Sequence, residues 1–245
     1  MGKSKIMTNA LVFAGGSGTR MNSKSKPKQF LQFYGKELII HTLENFQNHF
    51  EIDAITVVCI ESWIPYLKKI LDKYGIDKVK TVVSGGSTGQ ESIFKGLKAI
   101  KEFDNDEKSI VLIHDGVRPF INDDVISECI KTVKEKGSAI TVVPATETII
   151  TAENGRILSI TDRSKCCLAR APQCFYLNDI IEAHEKAVED GNTNMIDSAS
   201  LMRLYGHELY TVQGNIDNIK ITTPADFYTF KALYEVRENQ QIFGL

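Results

Sequence analysis

Short runs rich in β-branched residues alternate with amphipathic segments along most of the 245-residue chain. Strands linked by helices of this kind pair in parallel, because each helix carries the chain back to the start of the next strand. The pattern therefore predicts an α/β fold built on a mostly parallel sheet flanked by helices. The predicted strands are 9–14, 54–60, 79–83, 109–114 and 138–143, and the predicted helices are 38–49, 62–74, 90–102, 122–136, 178–190, 197–205 and 224–240. Predicted helix caps are Ser62, Asn122, Asn178 and Thr223.

The alternation stops between residues 144 and 172, where two extended runs surround the dipeptide Asn154-Gly155. Asn-Gly between extended runs is a signal for a β-hairpin. We predict that 144–172 forms a β-hairpin arm that protrudes from a single domain spanning 1–245, because no linker or repeat divides the chain. The adjacent Cys166 and Cys167 are predicted to pack, since neighbouring residues of a strand point to opposite faces.

Charge and cysteine usage limit the classes of function. A net charge of −2 offers no broad basic surface for nucleic acid or membrane lipid, so any anion site must be local. No apolar run approaches a membrane span, and the N-terminal residues lack a signal-peptide pattern. Five cysteines without CxxC spacing, in a chain too long to need disulfides, predict a reducing cytoplasm.

The segment LVFAGGSGTRMNSKSKPK, residues 11–28, places glycines 15, 16 and 18 directly after a predicted strand. Such glycines let backbone N–H groups approach a ligand. Met21 stands where a dinucleotide fingerprint requires its third glycine, and no Gly-Lys-Ser/Thr closes a P-loop. Arg20 and Lys28 in the same loop favour a triphosphate site, with a tight structural turn as the alternative.

Polar residues also follow two other predicted strands. Gly85 and Gly86, with Ser92 behind them, can contact a base or a ribose, or Ser/Thr residues there can cap a helix. Asp115 can hold ribose hydroxyls or a magnesium ion, and Arg118 can hold Asp115 in place or contact substrate. The alternative for these two is a buried structural ion pair.

Two cations occur later in the chain. Arg163 lies in the predicted arm, and Lys220 lies in the apolar run of NIKITTPADF. Each could be a solvated surface charge. If Lys220 points inward, its ammonium group requires a specific anionic partner.

Taken in order, seven strings resemble a family of cytidylyltransferases that act on methylerythritol and ribitol phosphates. The strings are AGGSGTRM, PKQF, GGSTGQES, HDGVRPF, TDRSK followed by RAPQCF, and NIKITTPADF. They run through nearly the whole chain. A lone AGGSGTRM would indicate only a nucleotidyltransferase, whereas the ordered set is specific to this family.

The resemblance implies a Rossmann-like, GT-A-like nucleotidyltransferase sheet that binds CTP, and a homodimer formed through the β-arm. It also implies attack by a polyol phosphate on the α-phosphorus of CTP, with Mg²⁺ as cofactor. The implied catalytic residues are Arg20, Lys28 and Lys220. The implied CTP contacts are Phe13, Ala14, Gly15, Gly16, Gly18, Gly85, Gly86, Ser92 and Asp115, and Asp115 is also the candidate metal ligand. The implied acceptor-phosphate contacts are Thr148, Arg163 and Arg118.

Local departures from the family strings favour ribitol 5-phosphate as the acceptor. Gly116-Val117 before Arg118 resembles the ribitol enzymes, while Ile196 and Arg170 depart from both groups. Methylerythritol 4-phosphate is the alternative acceptor. A dinucleotide-dependent oxidoreductase is disfavoured by Met21, and a non-catalytic nucleotide-binding protein would not need cations for both reacting phosphates.

Overall fold

The computed structural model describes residues 6–16 and 26–243, so the predicted residues Gly18 and Arg20 lie outside the described part. The strands are β1 (Thr8–Ala14), β2 (Gln32–Phe33), β3 (Lys36–Glu37), β4 (Ala54–Cys59), β5 (Val79–Ser84), β6 (Ile110–Asp115), β7 (Ser138–Pro144), β8 (Ile149–Glu153), β9 (Arg156–Thr161), β10 (Cys167–Tyr176) and β11 (Thr211–Gln213). The α-helices are α1 (Leu38–Asn48), α2 (Ile64–Tyr74), α3 (Gly89–Phe103), α4 (Asp123–Lys136), α5 (Leu177–Glu189), α6 (Ser198–Leu204) and α7 (Pro224–Phe243). None of these helices combines the length and apolar character that crossing a membrane requires.

Seven strands form one sheet in the order β11-β7-β10-β6-β1-β4-β5. Parallel pairs join β6, β1, β4 and β5, and a further parallel pair joins β7 to β11. The predicted α/β fold with a mostly parallel sheet is therefore confirmed. The exception is β10, which is antiparallel to both β6 and β7. Its pairing with β7 shifts between Ala169 and Gln173, where Pro172 has no N–H to donate.

The sheet is covered on both faces. Along β1, Val12 packs into a cluster with α1, α2 and α4, whereas Leu11 packs into a second cluster with α3, α5 and α6. Alternate strand residues point to opposite faces, so a strand covered on both sides reads as a continuous apolar run. Each fully buried leucine or isoleucine contributes about 2 kcal/mol to this core. A third cluster packs α7 through Phe230 against Phe120 and Ile221.

Two of the predicted caps are observed. The Asn122 side chain accepts a hydrogen bond from Val125 N at 3.1 Å, and Thr223 Oγ1 accepts one from Asp226 N at 3.3 Å. The predicted cap Ser62 is wrong, because a 3-10 turn over Glu61–Trp63 precedes α2. The predicted cap Asn178 is also wrong, because α5 begins one residue earlier and the Asn178 side chain instead accepts a hydrogen bond from Lys101 Nζ.

Strands β8 and β9 form a two-stranded hairpin separate from the main sheet. Its turn places Asn154 and Gly155 at φ values of 49° and 76°, as a two-residue hairpin turn requires. Its side chains are almost all exposed, including the large apolar ones of Ile157, Leu158 and Ile160. The predicted packing of the two adjacent cysteines is wrong, since Cys167 is exposed and Cys166 is only half-buried.

Candidate active site

A cavity of about 270 Å³ opens at the carboxyl ends of β1 and β6. In open α/β sheets this edge is where ligands bind, because the loops after parallel strands converge there. Phe13 and Ile113 supply part of the apolar wall. The charged residues of the lining are Asp115, Arg118, Arg170, Asp197 and Lys220.

Asp115, the last residue of β6, lies between two cations. Its Oδ2 atom is 2.7 Å from Arg118 Nε, and its Oδ1 atom is 2.6 Å from Lys220 Nζ. Asp115 and Arg118 are buried, whereas the Lys220 side chain is 39% exposed and faces the cavity. The sequence predicts an anionic partner for Lys220, and that partner is Asp115.

Arg118 is held from a second side by Asn218. Its Nη1 donates to the Asn218 carbonyl at 2.9 Å, and the Asn218 side chain accepts from Phe120 N and donates to Ala171 O. These bonds hold Arg118 against Asp115. Two of the three guanidinium nitrogens of Arg118 are engaged, because Nε contacts Asp115 and Nη1 contacts Asn218. The arrangement matches the buried structural ion pair that is the alternative interpretation of these two residues in the sequence. In this arrangement Arg118 positions Asp115.

The surroundings of Asp115 keep its carboxylate ionised. Burial alone would raise the pKa of Asp115, but the adjacent Lys220 and Arg118 outweigh that effect and hold the pKa below its ordinary value. The neighbouring His114 is fully buried, and burial lowers the pKa of its imidazole to about 4. Its Nε2 pairs with the Arg118 carbonyl at 3.0 Å, so His114 serves as a neutral support of the loop.

The Gln29 side chain supports the glycine turn after β1 through hydrogen bonds to backbone carbonyls. This buried side chain donates through Nε2 to the Ala14 carbonyl at 2.5 Å and lies 3.4 Å from the Gly16 carbonyl. With these carbonyls turned toward Gln29, the backbone of Gly15 and Gly16 is fixed at the carboxyl edge of the sheet. The string PKQF contains Gln29, but nothing in the sequence marks it as the support of this turn.

The second glycine pair lies against the first. Ser92 Oγ accepts from Gly86 N at 2.9 Å and donates to the Thr88 carbonyl at 2.8 Å. A Cβ atom on Gly85 would lie 3.1 Å from Ser92 Oγ and 3.8 Å from the Cα of Gly15. The structure thus brings the two predicted glycine turns together, and Ser92 joins them from the first turn of α3.

Phe13 completes this group. Lys220 Nζ lies 5.8 Å from the centroid of the Phe13 ring, close enough for a cation–π interaction. Phe13, Asp115 and Lys220 therefore line one side of the cavity, next to the glycine turn that follows Ala14.

Other predicted residues lie away from the cavity. Thr148 and Arg163 are exposed at the base of the β8–β9 hairpin, and Arg163 Nη1 donates to the Thr146 carbonyl at 2.9 Å. Neither lines the cavity of its own chain. Lys28 begins a 3-10 turn, Lys28–Phe30, that carries Gln29. Gly18 and Arg20 lie outside the described residues.

The opposite wall of the cavity depends on polar residues whose supporting role the sequence did not predict. Gln173 on β10 donates to Asp197 Oδ2 at 2.9 Å and accepts from Ala199 N, while Asp197 Oδ1 caps α6 through Ser200 N at 2.8 Å. Gln90 donates to the Asn192 carbonyl and accepts from Met195 N. These side chains fix the loop before α6. Gln90 and Gln173 stand within the strings GGSTGQES and RAPQCF, whereas Asp197 lies outside all of the family strings.

Asp115 does not fit a direct metal ligand in this geometry, because each of its oxygens already contacts a cation. Within residues 6–16 and 26–243, no cluster of three or more His, Cys, Asp or Glu side chains could hold a metal ion. The donors for such an ion would have to come mainly from bound phosphates and water.

Two adjoining glycine turns at the carboxyl edge of an α/β sheet, with a lysine and a buried Asp–Arg pair beside them, define a nucleotidyltransferase. Residues 8–235 match the family model described as IspD: 2-C-methyl-D-erythritol 4-phosphate cytidylyltransferase. The chain belongs to this family, whose members are CTP-dependent cytidylyltransferases, and the predicted enzyme class is confirmed.

The chain is similar to proteins that use either of two acceptors. A ribitol-5-phosphate cytidylyltransferase of Vibrio parahaemolyticus serotype O3:K6 is 54% identical over 97% of this chain and 100% of its own length. A 2-C-methyl-D-erythritol 4-phosphate cytidylyltransferase of Clostridium novyi is 40% identical over 92% of this chain and 96% of its own. The crystal structure of 4-diphosphocytidyl-2C-methyl-D-erythritol synthase from Anaerococcus prevotii superposes with a TM-score of 0.79 at 27% identity, over 93% of this chain and 96% of that one.

Proposed function

We propose that this enzyme transfers CMP from CTP to D-ribitol 5-phosphate, giving CDP-ribitol and pyrophosphate. The observation that carries the choice of acceptor is the 54% identity to a ribitol-5-phosphate enzyme, against 40% to a methylerythritol-phosphate enzyme of similar length. The Gly116-Val117 pair beside Asp115 is consistent with the same choice.

The reaction is a phosphoryl-group substitution. An oxygen of the acceptor phosphate forms a bond to the α-phosphorus of CTP as the bond from that phosphorus to the bridging oxygen breaks, and pyrophosphate leaves with the bond's electron pair. An acceptor phosphate is largely ionised near neutral pH, so no general base is required. The main obstacle is repulsion between two anions, which positioned cations overcome.

Each cation has a proposed place in that substitution. Lys220, at the cavity wall beside Phe13, would contact the triphosphate and stabilise charge that develops at the α-phosphate. Lys28, next to the glycine turn held by Gln29, would act with Arg20 on the same phosphates. The N–H groups of Gly15, Gly16 and Gly18 would cradle them, and Gly85, Gly86 and Ser92 would contact cytidine.

We propose Mg²⁺ as the cofactor, bound chiefly by triphosphate oxygens and water. When bound, it would neutralise part of the phosphate charge. The carboxylate of Asp115 would remain paired with Arg118 and orient either Lys220 or the ribose hydroxyls.

We propose a homodimer formed through the β8–β9 hairpin. Its exposed apolar side chains include Ile150, Ile157, Leu158 and Ile160, which a second copy would remove from water. Thr148 and Arg163 at the base of the hairpin would then bind the acceptor phosphate in the partner's cavity. That arrangement accounts for their distance from the cavity of their own chain. A cytoplasmic location is part of the same proposal, since CTP is an intracellular substrate.

A pyrophosphate-release assay tests the proposed reaction. It crosses CTP, ATP, GTP and UTP with ribitol 5-phosphate, methylerythritol 4-phosphate and glycerol 3-phosphate, with Mg²⁺ or with EDTA. We expect turnover with CTP, ribitol 5-phosphate and Mg²⁺. Turnover only with methylerythritol 4-phosphate would replace the acceptor, and CTP binding without any turnover would favour a non-catalytic nucleotide-binding protein.

A further inference from the structure

Among the described residues that line the cavity, Arg170 is the cation that lacks a counter-ion. It lies on β10, is half-buried, and lines the cavity beside Arg118. Among the described residues, its guanidinium makes no hydrogen bond and no ion pair, whereas Arg118 and Lys220 both contact Asp115. A half-buried guanidinium without a partner loses part of its hydration and gains nothing in return.

The carboxylates near Arg170 are already engaged. Asp115 is held by Lys220 and Arg118, and Asp197 is held by Gln173 and by Ser200 N. Counting the described residues alone, the cavity lining contains three cations and two carboxylates that are already paired, which leaves an excess of positive charge at Arg170. Burial, together with the nearby charge of Arg118, lowers the pKa of Arg170 from its ordinary value, which agrees with the absence of an anion at this position.

The sheet order separates Arg170 from the glycine turns. The turns follow β1 and β5, whereas Arg170 lies on β10, on the other side of β6. A nucleotide bound at the glycine turns would occupy the edge from β1 to β5. The part of the cavity lined by β6 and β10 would then be available to the second substrate, the acceptor.

We propose that Arg170 binds the anionic phosphate monoester of the acceptor and thereby determines which acceptors the enzyme uses. This inference rests on the proposed function. The planar guanidinium of an arginine can hold two phosphate oxygens at once, which a lysine cannot do. Arg170 would bind the phosphate from its own chain, and Arg163 would bind it from the partner.

The test compares wild type with Arg170→Gln and Arg170→Lys. Arg203→Gln, an exposed arginine on α6, is the matched control. Steady-state rates give KM for ribitol 5-phosphate, KM for CTP and kcat. We expect Arg170→Gln to raise the acceptor KM about tenfold or more, the usual effect of losing a charge-assisted hydrogen bond, and to leave the CTP KM within about twofold. Arg170→Lys should recover part of the loss, and Arg203→Gln should match wild type.

Binding without turnover separates this inference from the proposed function. Ribitol 5-phosphate is titrated calorimetrically into each variant, saturated with a CTP analogue that has a methylene group between the α- and β-phosphorus. We expect at least about tenfold weaker binding to Arg170→Gln than to wild type. Equal affinities, or an unchanged acceptor KM, would overturn the role of Arg170. Wild type that binds the acceptor but releases no pyrophosphate would instead contradict the proposed reaction. Thermal unfolding of each variant checks that the fold is retained.

Discussion

Lys220 and Asp115 are 105 positions apart in the chain, and their side chains meet at 2.6 Å at the edge of the sheet. The pair is asymmetric, because Asp115 is buried and Lys220 is open to the cavity. Lys220 can therefore turn toward a triphosphate while Asp115 keeps Arg118 as its partner. This asymmetry makes different predictions for substitutions of the two residues.

Replacing Asp115 should affect stability as well as activity. In Asp115→Asn the buried Arg118 loses its only carboxylate partner within the described residues, and we expect the free energy of unfolding to fall by about 3 kcal/mol. Urea unfolding at pH 7 measures the change. Glu182→Gln, which breaks an exposed ion pair with Lys186, is the control and should unfold like wild type. An Asp115→Asn protein as stable as wild type would mean that Arg118 does not need this charge.

Replacing Lys220 should affect activity alone. In Lys220→Met, Asp115 keeps Arg118 at 2.7 Å, so we expect little change in unfolding. The loss of a cation that stabilises the developing charge should lower kcat about 100-fold. Steady-state pyrophosphate release measures this loss, with Lys231→Met on the exposed face of α7 as the control. A kcat within threefold of wild type would remove Lys220 from the catalytic residues.

We predict that the folded protein loses stability in mild acid because of two buried histidines. Burial lowers the pKa of His114 and of His184 to about 4, and neither nitrogen of His184 has a partner within the described structure. The unfolded chain takes up protons near pH 6.5 while the folded chain does not, so stability is complete above that pH and decreases as the pH falls toward 4. Between pH 7.5 and pH 5 each histidine should cost about 2 kcal/mol.

The variant His184→Leu isolates one of these contributions. Urea unfolding at pH 7.5 and pH 5 should show a smaller acid loss than wild type, by about 2 kcal/mol. His207→Leu is the control, because His207 is more exposed than His184. This variant should keep the full acid loss. An identical pH dependence in His184→Leu and wild type would show that His184 does not titrate with a lowered pKa.

Mixed subunits test the proposed role of the hairpin. Arg163→Ala and Lys220→Met should each be nearly inactive alone. If Arg163 acts in the partner's cavity, mixing the two variants should restore up to about a quarter of the wild-type rate, because one site of each mixed dimer has both residues. Mixtures no more active than the separate variants would place Arg163 in the cavity of its own chain, or outside any site. Sedimentation of Ile157→Asp should show a shift toward monomer.

The sequence predicts local structure well where burial or a turn conformation admits only a few residue types. The apolar runs of β1 and β6 and the Asn154-Gly155 turn are examples, because burial on both faces and positive φ leave few alternatives. It predicts that Lys220 needs an anion but cannot identify Asp115, because the contact depends on how distant segments meet. Gln29 and Asn218 were missed for a related reason: an amide that satisfies backbone carbonyls has no spacing that distinguishes it from a surface residue.

The position of β10 is the largest feature that the sequence leaves undetermined. The run around RAPQCF contains a proline, which argues against a central strand. The strand nevertheless lies between β6 and β7, with the pairing interrupted where Pro172 falls. Local patterns define strands but do not give their order in a sheet.

That order also constrains how the chain assembles. The strands β6, β1, β4 and β5 can pair with one another as soon as they exist, whereas β7 has only β10 and β11 as neighbours, and both come later in the chain. Among the described residues, no strand that precedes β7 in the chain is its neighbour in the sheet. The part of the cavity wall that contains Gln173 and Arg170 must therefore wait until the hairpin has been synthesised and β10 has inserted, because β10 is the strand that joins β7 to the rest of the sheet.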